Sequence, residues 1–328
     1  MELHFAEDFF KEEKRKDFVI SEPMKRYWAH CLQILEVIDE ICSRHNIKYF
    51  ASWGTLLGAV REGGFIPWDD DVDITMLRVD YTAFVRYAAE ELPAGWTFKL
   101  YHDSPEQFTG VHRVYECPNI RLSDMELSST YGCPFAAGVD VFILDDCPES
   151  EAEMSSQVTL LSLLYGVAAK LIRSPGDEEA LSCIPEIESI TGMDFGTDPS
   201  RYADELFEAM ELVCAMYDDM LPPIYGSDRK VRDLAYTIGG GKTAVFKKSY
   251  FADTVMLPFE GIKIPAPAAY DAVLRGYFGD DYMTPIMFSA DHGYPVYRNQ
   301  QEIIEKAYPG SAGDELLKNL HLQRGVYR

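Results

Sequence analysis

The chain has 328 residues, of which 47% are hydrophobic, 13% aromatic and 26% charged, and this balance excludes intrinsic disorder as its main state. Its formal net charge of −24 excludes binding of a polyanion through a broad basic surface, so no nucleic acid partner is expected. A phosphate ligand would have to be held at a local site where metal cations supply the positive charge.

The first predicted elements lead up to an acidic segment. The N-terminal 16 residues are rich in charge and lack the apolar core of a secretory signal, so we expect a cytoplasmic protein. Apolar residues recur at helical spacing from Glu22 to His45, and Ser21 opens this predicted helix. Three short elements follow, a strand, a glycine turn and a helical run: 48–51, Gly54 and 56–60. A glycine turn that opens a helix presents backbone N–H groups, which suits a phosphate.

The segment PWDDDVDI at residues 67–74 holds the densest chemistry in the sequence. In a strand that starts near Asp71, the side chains of Asp71 and Asp73 point to one face, while Val72 and Ile74 point into a core. Two adjacent carboxylates repel each other, and a hard cation such as Mg²⁺ or Mn²⁺ relieves that repulsion. A solvated acidic turn is the alternative, but such a turn would not need the apolar residues between the acids.

A third carboxylate is predicted on a central strand. After the acidic segment the pattern predicts a helix and then four strands: 80–92, 96–101, 110–115, 120–125 and 138–144. Asp140 lies in the last strand among apolar neighbours, where a lone acid is costly unless it is paired or bound to a metal. Asp71, Asp73 and Asp140 together can bridge two metals that orient a diphosphate and lower the pKa of an attacking hydroxyl. Asp145 and Asp146 follow this strand and are expected to be solvated.

The second half of the chain predicts a helical insertion. Residues 149–220 are typical of two or three helices, and their uncharged stretch at 154–169 is shorter than the ~20 residues of a membrane span. Three later elements are predicted, a strand, a hairpin and a final helix: 245–246, 255–264 and 268–278. We therefore predict an α+β fold with one catalytic domain over residues 1–328, a helical insertion at 149–235 and no transmembrane segment.

Several other residues are candidates for substrate contacts. Arg61 and Arg121 suit either a donor phosphate or a surface ion pair. Three aromatic residues close to the acids in sequence can stack on a base or hold a quaternary ammonium by cation–π attraction: Trp53, Trp68 and Tyr49. Core packing is the alternative and explains at least two of these three. His292 can reach the site from the C-terminal segment or serve a structural role.

Five motifs of the chain occur in the same order in one protein family. They are GTLLGAVREGGFIPWDDDVDI (54–74), RLSD (121–124), GVDVF (138–142), FEG (259–261, continuing to Pro265) and YFGDDYMTP (277–285). This series resembles the LicD family, which includes bacterial phosphorylcholine transferases and is related to human fukutin and fukutin-related protein. In the last motif the family has Tyr-Gly-Asp-Tyr-Met-x-x-Pro, and the departures here, Phe278 and an extra Asp281, leave the three acids untouched.

The resemblance implies a nucleotidyltransferase-like mixed sheet, as in the DNA polymerase beta superfamily. It implies that Asp71 and Asp73 bind Mg²⁺ or Mn²⁺, and that Asp140 is the third ligand or the base that takes the acceptor's proton. Gly54 and Thr55 would face the phosphates. The implied reaction transfers a phospho-alcohol group from a CDP-alcohol such as CDP-choline to a sugar hydroxyl of a cell-surface glycan or its precursor, as in lipopolysaccharide or teichoic acid biosynthesis. A lipid-linked acceptor would bring the protein to the inner face of the membrane.

Two other functions stay open at this point. A nucleotidyltransferase would move a nucleoside monophosphate onto a small alcohol or sugar and release pyrophosphate, whereas the phosphotransferase would release CMP. A catalytically silent glycan- or metal-binding subunit would be marked by a broken set of acids, and all three acids are present here. The sequence does not indicate an oligomeric state.

Overall fold

The computed structural model describes residues 1–99, 111–116, 120–218, 228–240, 244–287 and 294–323, without the side chains of 115 and 116. Its helices are α1 (Glu22–His45), α2 (Trp53–Arg61), α3 (Arg78–Glu91), α4 (Asp124–Ser128), α5 (Glu151–Arg173), α6 (Glu178–Thr191), α7 (Tyr202–Ala215), α8 (Leu234–Ile238), α9 (Tyr270–Phe278), α10 (Arg298–Ala307) and α11 (Gly310–Asn319). Its strands are β1 (Glu13–Arg15), β2 (Phe18–Ile20), β3 (Phe50–Ala51), β4 (Asp73–Leu77), β5 (Trp96–Lys99), β6 (His112–Glu116), β7 (Gly138–Asp146), β8 (Lys230–Arg232), β9 (Phe246–Lys247), β10 (Thr254–Phe259) and β11 (Ile262–Pro267).

A mixed sheet with the strand order β3–β4–β7–β6–β5 forms the centre of the molecule. The neighbours β4 and β7 are parallel, whereas the other neighbours along this path are antiparallel. The far end of β7 also pairs with β8, which in turn pairs with β9. Nearly every residue of β4 and β7 is buried, as expected for strands that are covered on both faces. The α+β class and the central position of the strand that carries Asp140 are therefore confirmed.

Local signals placed α1 and the β10–β11 hairpin correctly. The side chain of Ser21 accepts a hydrogen bond from the Met24 N–H at 3.4 Å, and α1 is capped at its C-terminus by Asn46, whose φ of 54° is left-handed. The hairpin turns at Glu260 and Gly261, both with positive φ. These elements follow from caps and turn residues that lie within the elements themselves or beside them.

Three predicted elements were wrong. Gly54 does not form a turn ahead of the helix, because α2 begins at Trp53 and includes it. Residues 120–125 do not form a strand, because α4 begins at Asp124 behind a capping box in which Ser123 and Glu126 satisfy each other's backbone N–H groups. This four-residue signal outweighs the alternating pattern. The helix at α9 is not the last one either, since α10 and α11 follow it. These two helices were not predicted because their sequences are mostly polar. For example, α10 buries only Gln301 and Ile304.

Buried apolar residues form two clusters. The larger cluster surrounds the central sheet with α1 and α2, and the smaller one lies between α5, α6, α7 and α8. The fully buried members of the smaller cluster fall between Leu161 and Ala235, inside the predicted insertion at 149–235, whose division from the rest stays a prediction. Among the described residues, α5 is the one helix long and apolar enough to cross a membrane, and its buried residues pack in this smaller cluster.

Asp145 and Asp146 are buried, which corrects the expectation that they are solvated. They are 0% and 1% exposed at the end of β7, where β8 pairs with the strand. Nε of Arg78 donates to Asp145 Oδ1 at 2.6 Å, and Nζ of Lys248 lies 2.8 Å from both carboxylate oxygens of Asp146. Burial raises the pKa of Asp145 to about 6, although the guanidinium of Arg78 opposes this change. Both acids therefore form buried ion pairs that join the end of β7 to α3 and to Lys248.

Candidate active site

Three acids meet beside the central sheet: Asp73 on β4, Asp140 on β7, and Asp71 just before β4. In the parallel ladder between β4 and β7, Asp73 lies opposite Asp140, and the Asp140 N–H donates to the Val72 carbonyl at 2.9 Å. Asp71, Asp73 and Asp140 each offer a carboxylate oxygen within 4.8 Å of the other two. No other described group of three or more acids, histidines or cysteines gathers in this way. The structure thus brings the three predicted acids together, and their roles as ligands and catalytic groups stay predictions.

The electrostatics of these acids favour a bound cation. Asp73 and Asp140 are only 8% and 9% exposed, and Val72 beside them is completely buried in the core. Burial, followed by the charges of Asp71 and Asp140, raises the pKa of Asp73 well above its usual range. A hard cation among these oxygens would offset both the desolvation and the repulsion, so the donor set fits Mg²⁺ or Mn²⁺.

Arg113 on β6 is a site residue that the sequence did not single out. Its guanidinium donates from Nε and Nη2 to the two carboxylate oxygens of Asp140 on the neighbouring strand. Gly138 makes room for this arm, because a Cβ there would lie 2.8 Å from Arg113 Cδ. An arginine inside a predicted strand was the available signal, but only the strand pairing shows which acid it meets.

Replacing Arg113 by methionine is expected to strengthen Mg²⁺ binding. The guanidinium is a cation that competes for the oxygens of Asp140, so its removal leaves the three acids more negative. Without metal, the same variant should lose about 1–2 kcal/mol of unfolding free energy, since the pair is partly exposed and therefore partly screened. Calorimetric titration with Mg²⁺ and denaturation in EDTA measure the two effects. Arg113→Lys, which keeps the charge, is the control, and an unchanged Mg²⁺ affinity in Arg113→Met would contradict the competition.

The start of α2 fixes the position of Asp73. Thr55 Oγ1 accepts a hydrogen bond from the Asp73 N–H at 2.9 Å, and the Ser52 N–H donates to the Asp73 carbonyl at 3.0 Å. Gly54 packs so closely on Asp69 that any Cβ would overlap the Asp69 carboxylate. Thr55 therefore has a positioning role, and the phosphate contacts implied for Gly54 and Thr55 stay predictions.

Glu260 at the hairpin turn clamps the loop that leads to the acids, and the sequence analysis missed this role. Its Oε1 accepts from the Phe65 N–H at 3.0 Å and from Nη1 of Arg15 at 2.6 Å. Gly64 packs against the same carboxylate, where a Cβ would overlap it, and the Glu260 N–H donates to the Gly63 carbonyl at 3.0 Å. The motif FEG therefore fixes the loop at residues 63–65, which leads to the acids.

Glu260→Ala is expected to lower the free energy of unfolding by about 2–3 kcal/mol. The substitution leaves the buried Phe65 N–H without this acceptor and removes one of the two acids that pair with Arg15, the other being Glu13. Urea denaturation measures the effect. Glu260→Gln is the matched control, since it keeps an acceptor oxygen and should lose less; an equal loss in both variants would show that hydrogen bonding to Phe65 contributes little.

Of the three basic residues predicted to contact substrate, the structure describes Arg61 and Arg121 but not His292. Arg121 is 6% exposed, and Nε of Arg61 lies 2.7 Å from Glu62 while its Nη1 donates to the Tyr282 carbonyl at 3.2 Å. For Arg61 these contacts agree with the ion-pair alternative, and a phosphate role for either arginine stays a prediction. His292 lies outside the described residues, so its predicted role is not placed.

Two of the three predicted aromatic residues serve packing. Tyr49 is 5% exposed and its hydroxyl donates to Asp39 Oδ1 at 2.8 Å. Trp68 packs on the larger core and meets Phe18 edge to face, with ring centroids 6.2 Å apart. Trp53 differs from both, because it is partly exposed at the start of α2 with a left-handed φ of 41°.

Comparison with known proteins points to the family that the motifs predicted. Residues 46–115 match the model of the family described as LicD/FKTN/FKRP, nucleotidyltransferase domain. The chain is 25% identical over 259 residues to the lipopolysaccharide cholinephosphotransferase LicD of Haemophilus influenzae. The matched region covers 78% of this chain and 89% of that protein. An uncharacterized protein of Rickettsia typhi is 39% identical over 112 residues, or 29% of this chain and 36% of the relative. Together these matches confirm the resemblance to the LicD family that the order of the motifs predicted.

Proposed function

We propose that this protein transfers a phospho-alcohol group, phosphocholine or a close analogue, from a CDP-alcohol to a sugar hydroxyl of a cell-surface glycan or its precursor. The observation that carries the proposal is the meeting of Asp71, Asp73 and Asp140 across two parallel strands in a chain that resembles the LicD family. The Haemophilus influenzae relative is named a lipopolysaccharide cholinephosphotransferase, which supports a choline-type group and a glycan acceptor. The family description also supports a nucleotidyltransferase-like fold.

In this proposal the three acids would hold Mg²⁺ or Mn²⁺. The metal would supply positive charge at the diphosphate of the donor and would lower the pKa of the acceptor hydroxyl. Asp73 is held for this role by Thr55 through its backbone, and Arg113 fixes the orientation of the Asp140 carboxylate. Asp140 acts either as the third ligand or as the base for the hydroxyl proton.

The proposed reaction is a substitution at phosphorus. The oxygen of the acceptor hydroxyl forms a bond to the phosphorus that carries the alcohol, and the phosphoanhydride bond to CMP breaks. CMP leaves with the electron pair of that bond, and the hydroxyl proton is transferred to a base. A lipid-linked acceptor would place this reaction at the cytoplasmic face of the membrane.

A panel of CDP-alcohols tests the proposal. We expect Mg²⁺ with one of CDP-choline, CDP-ethanolamine or CDP-glycerol to raise the unfolding temperature, since a ligand at about 100 times its Kd adds about 2.7 kcal/mol. Incubation with a glycan acceptor should then release CMP. Release of pyrophosphate from CTP and a phospho-alcohol would instead establish the nucleotidyltransferase alternative, which the family description favours. Binding without turnover by an intact Mg²⁺-loaded protein would indicate the silent subunit and overturn the proposal.

A further inference from the structure

A cavity of about 460 Å³ lies between the N-terminal segment 4–15, the loop that begins at Glu62 and the turn of the β10–β11 hairpin. No step of the reaction proposed above takes place in it. Its volume is in the usual range for small-ligand sites, about 300–1,000 Å³. Its wall combines two aromatic rings, three carboxylates and one guanidinium, which belong to Phe5, Phe9, Glu13, Glu62, Glu260 and Arg15. The cavity therefore offers both apolar and polar contacts to a ligand.

Two of the five sequence motifs meet at this cavity. The motif at 54–74 supplies Glu62 and Gly63, and FEG supplies Glu260 and Gly261. Both glycines have a positive φ, 68° and 85°, which favours a residue without a Cβ. A Cβ at either position would contact no described atom within 4 Å. The chain therefore turns at two points of the wall without a side chain that would narrow the cavity.

Trp28 connects the cavity with the loop that carries the acids. The guanidinium carbon of Arg15 lies 5.7 Å from the centroid of the Trp28 ring, and Trp28 Nε1 donates to the Asp69 carbonyl at 3.0 Å. Asp69 precedes Asp71 by two residues. One indole thus separates the cavity from this loop, so a chain of several sugars could occupy the cavity with one unit and present another unit to the acids.

The charged groups of the wall already pair with one another or with neighbours. Nε and Nη1 of Arg15 donate to Glu13 and Glu260 at 2.7 and 2.6 Å. Nζ of Lys16 donates to Glu62 at 2.5 Å. A charged ligand would have to disrupt these pairs, so the cavity favours a neutral one. Each carboxylate has about four acceptor positions, and those that the pairs leave open can accept hydrogen bonds from hydroxyl groups.

The aromatic part of the wall disfavours both a flat base and a cation. The Phe5 and Phe9 rings pack against each other with centroids 4.5 Å apart, so no base fits between them. Nζ of Lys25 lies 4.6 Å from the Phe9 centroid and would repel a cation. Both rings are partly exposed and give the cavity an apolar surface. A pyranose has apolar C–H faces and a rim of hydroxyl groups, so it matches a wall in which rings stand beside carboxylates.

We propose that this cavity binds a neutral sugar unit of the acceptor glycan at a distance from the hydroxyl that reacts. This inference rests on the proposed function and deepens it, because it adds a second point at which the glycan is held. A glycan held at both points gains affinity over a single sugar, since its second contact forms within the same molecule.

Ala6→Trp tests the site by filling the cavity. Ala6 lines the cavity and is exposed, so an indole there takes the place of the ligand without crowding the core. We expect the wild type to bind neutral trisaccharides of glucose, galactose or N-acetylglucosamine with a Kd in the millimolar range, and Ala6→Trp to lose about tenfold or more. Ala152→Trp, the same change at an exposed position of α5, is the matched control and should bind like the wild type. Titration followed by NMR gives these affinities without donor or turnover.

Affinity for CDP-choline with Mg²⁺ separates this inference from the proposed function. Ala6→Trp should bind CDP-choline like the wild type, and a parallel loss would assign the cavity to the donor and overturn the proposal. Equal trisaccharide affinities in Ala6→Trp and the wild type, or no trisaccharide binding by the wild type, would also overturn it while leaving the phosphotransferase intact. Trisaccharide binding without binding of any CDP-alcohol would overturn the proposed function, and the acceptor role with it. Should Ala6→Trp fail to fold, His4→Trp at another exposed position of the wall is tested with the same ligands and criteria.

Discussion

Replacing Asp73 with asparagine is expected to lower turnover by about a thousandfold or more, because a bound metal supplies several kcal/mol of charge stabilisation and each ~1.4 kcal/mol is a factor of ten. Asp73 is the member of the triad that lies opposite Asp140 in the ladder and is held through its backbone by Thr55. Release of CMP from CDP-choline measures the effect. The same change at the exposed Asp124 is the control and should leave turnover unaltered. Wild-type activity in Asp73→Asn would rule out the metal-dependent phosphotransferase.

The same variant should fold at least as stably as the wild type when metal is removed. Burial and the charges of Asp71 and Asp140 raise the pKa of Asp73 in the folded state. Its contribution to stability is therefore present at low pH and is lost as the pH rises through that raised pKa. Asparagine has no charge to desolvate, so the melting temperature in EDTA should fall less between pH 5 and pH 8 in the variant. A steeper fall in the variant would contradict the raised pKa.

Asp146→Ala is expected to lower the free energy of unfolding by about 3–5 kcal/mol, since it leaves a buried ammonium without its main partner. Lys248 is 2% exposed, and its Nζ lies 2.8 Å from both oxygens of Asp146, which also accepts from Arg229. Nζ of Lys248 lies 3.9 Å from Asp218, too far to replace the lost contacts without a shift. Chemical denaturation measures the loss.

A paired substitution checks the cause of that loss. Asp146→Leu combined with Lys248→Met removes both buried charges, so it should recover part of the stability that Asp146→Ala loses. Both sites lie at the far end of β7 from Asp140, so the Mg²⁺ affinity of the folded protein should stay unchanged. A loss below about 1 kcal/mol in Asp146→Ala would show that Lys248 finds water or another acid.

The sequence by itself determined the features that depend on neighbours along the chain. The helix at Glu22–His45 follows from its 3.6-residue pattern and its Ser21 cap, and the turn at Glu260 follows from its short hairpin signal. The alternation of acids and aliphatic residues at 71–74 placed two carboxylates beside a buried Val72. Asp140 stood out because a lone acid in an apolar strand needs a partner. The resemblance to the LicD family was likewise predicted from the sequence, because it rests on five motifs and their order along the chain.

Only the tertiary structure decided which distant groups meet. Arg113 reaches Asp140 because β6 pairs with β7 in one register, and a pattern within either strand does not contain that register. Asp145 and Asp146 looked like a solvated strand end, yet Arg78 and Lys248 arrive from other elements and make their burial tolerable. Local periodicity and caps act within a few residues, whereas the burial and pairing of a charge depend on strands and helices that the chain brings together only when it folds.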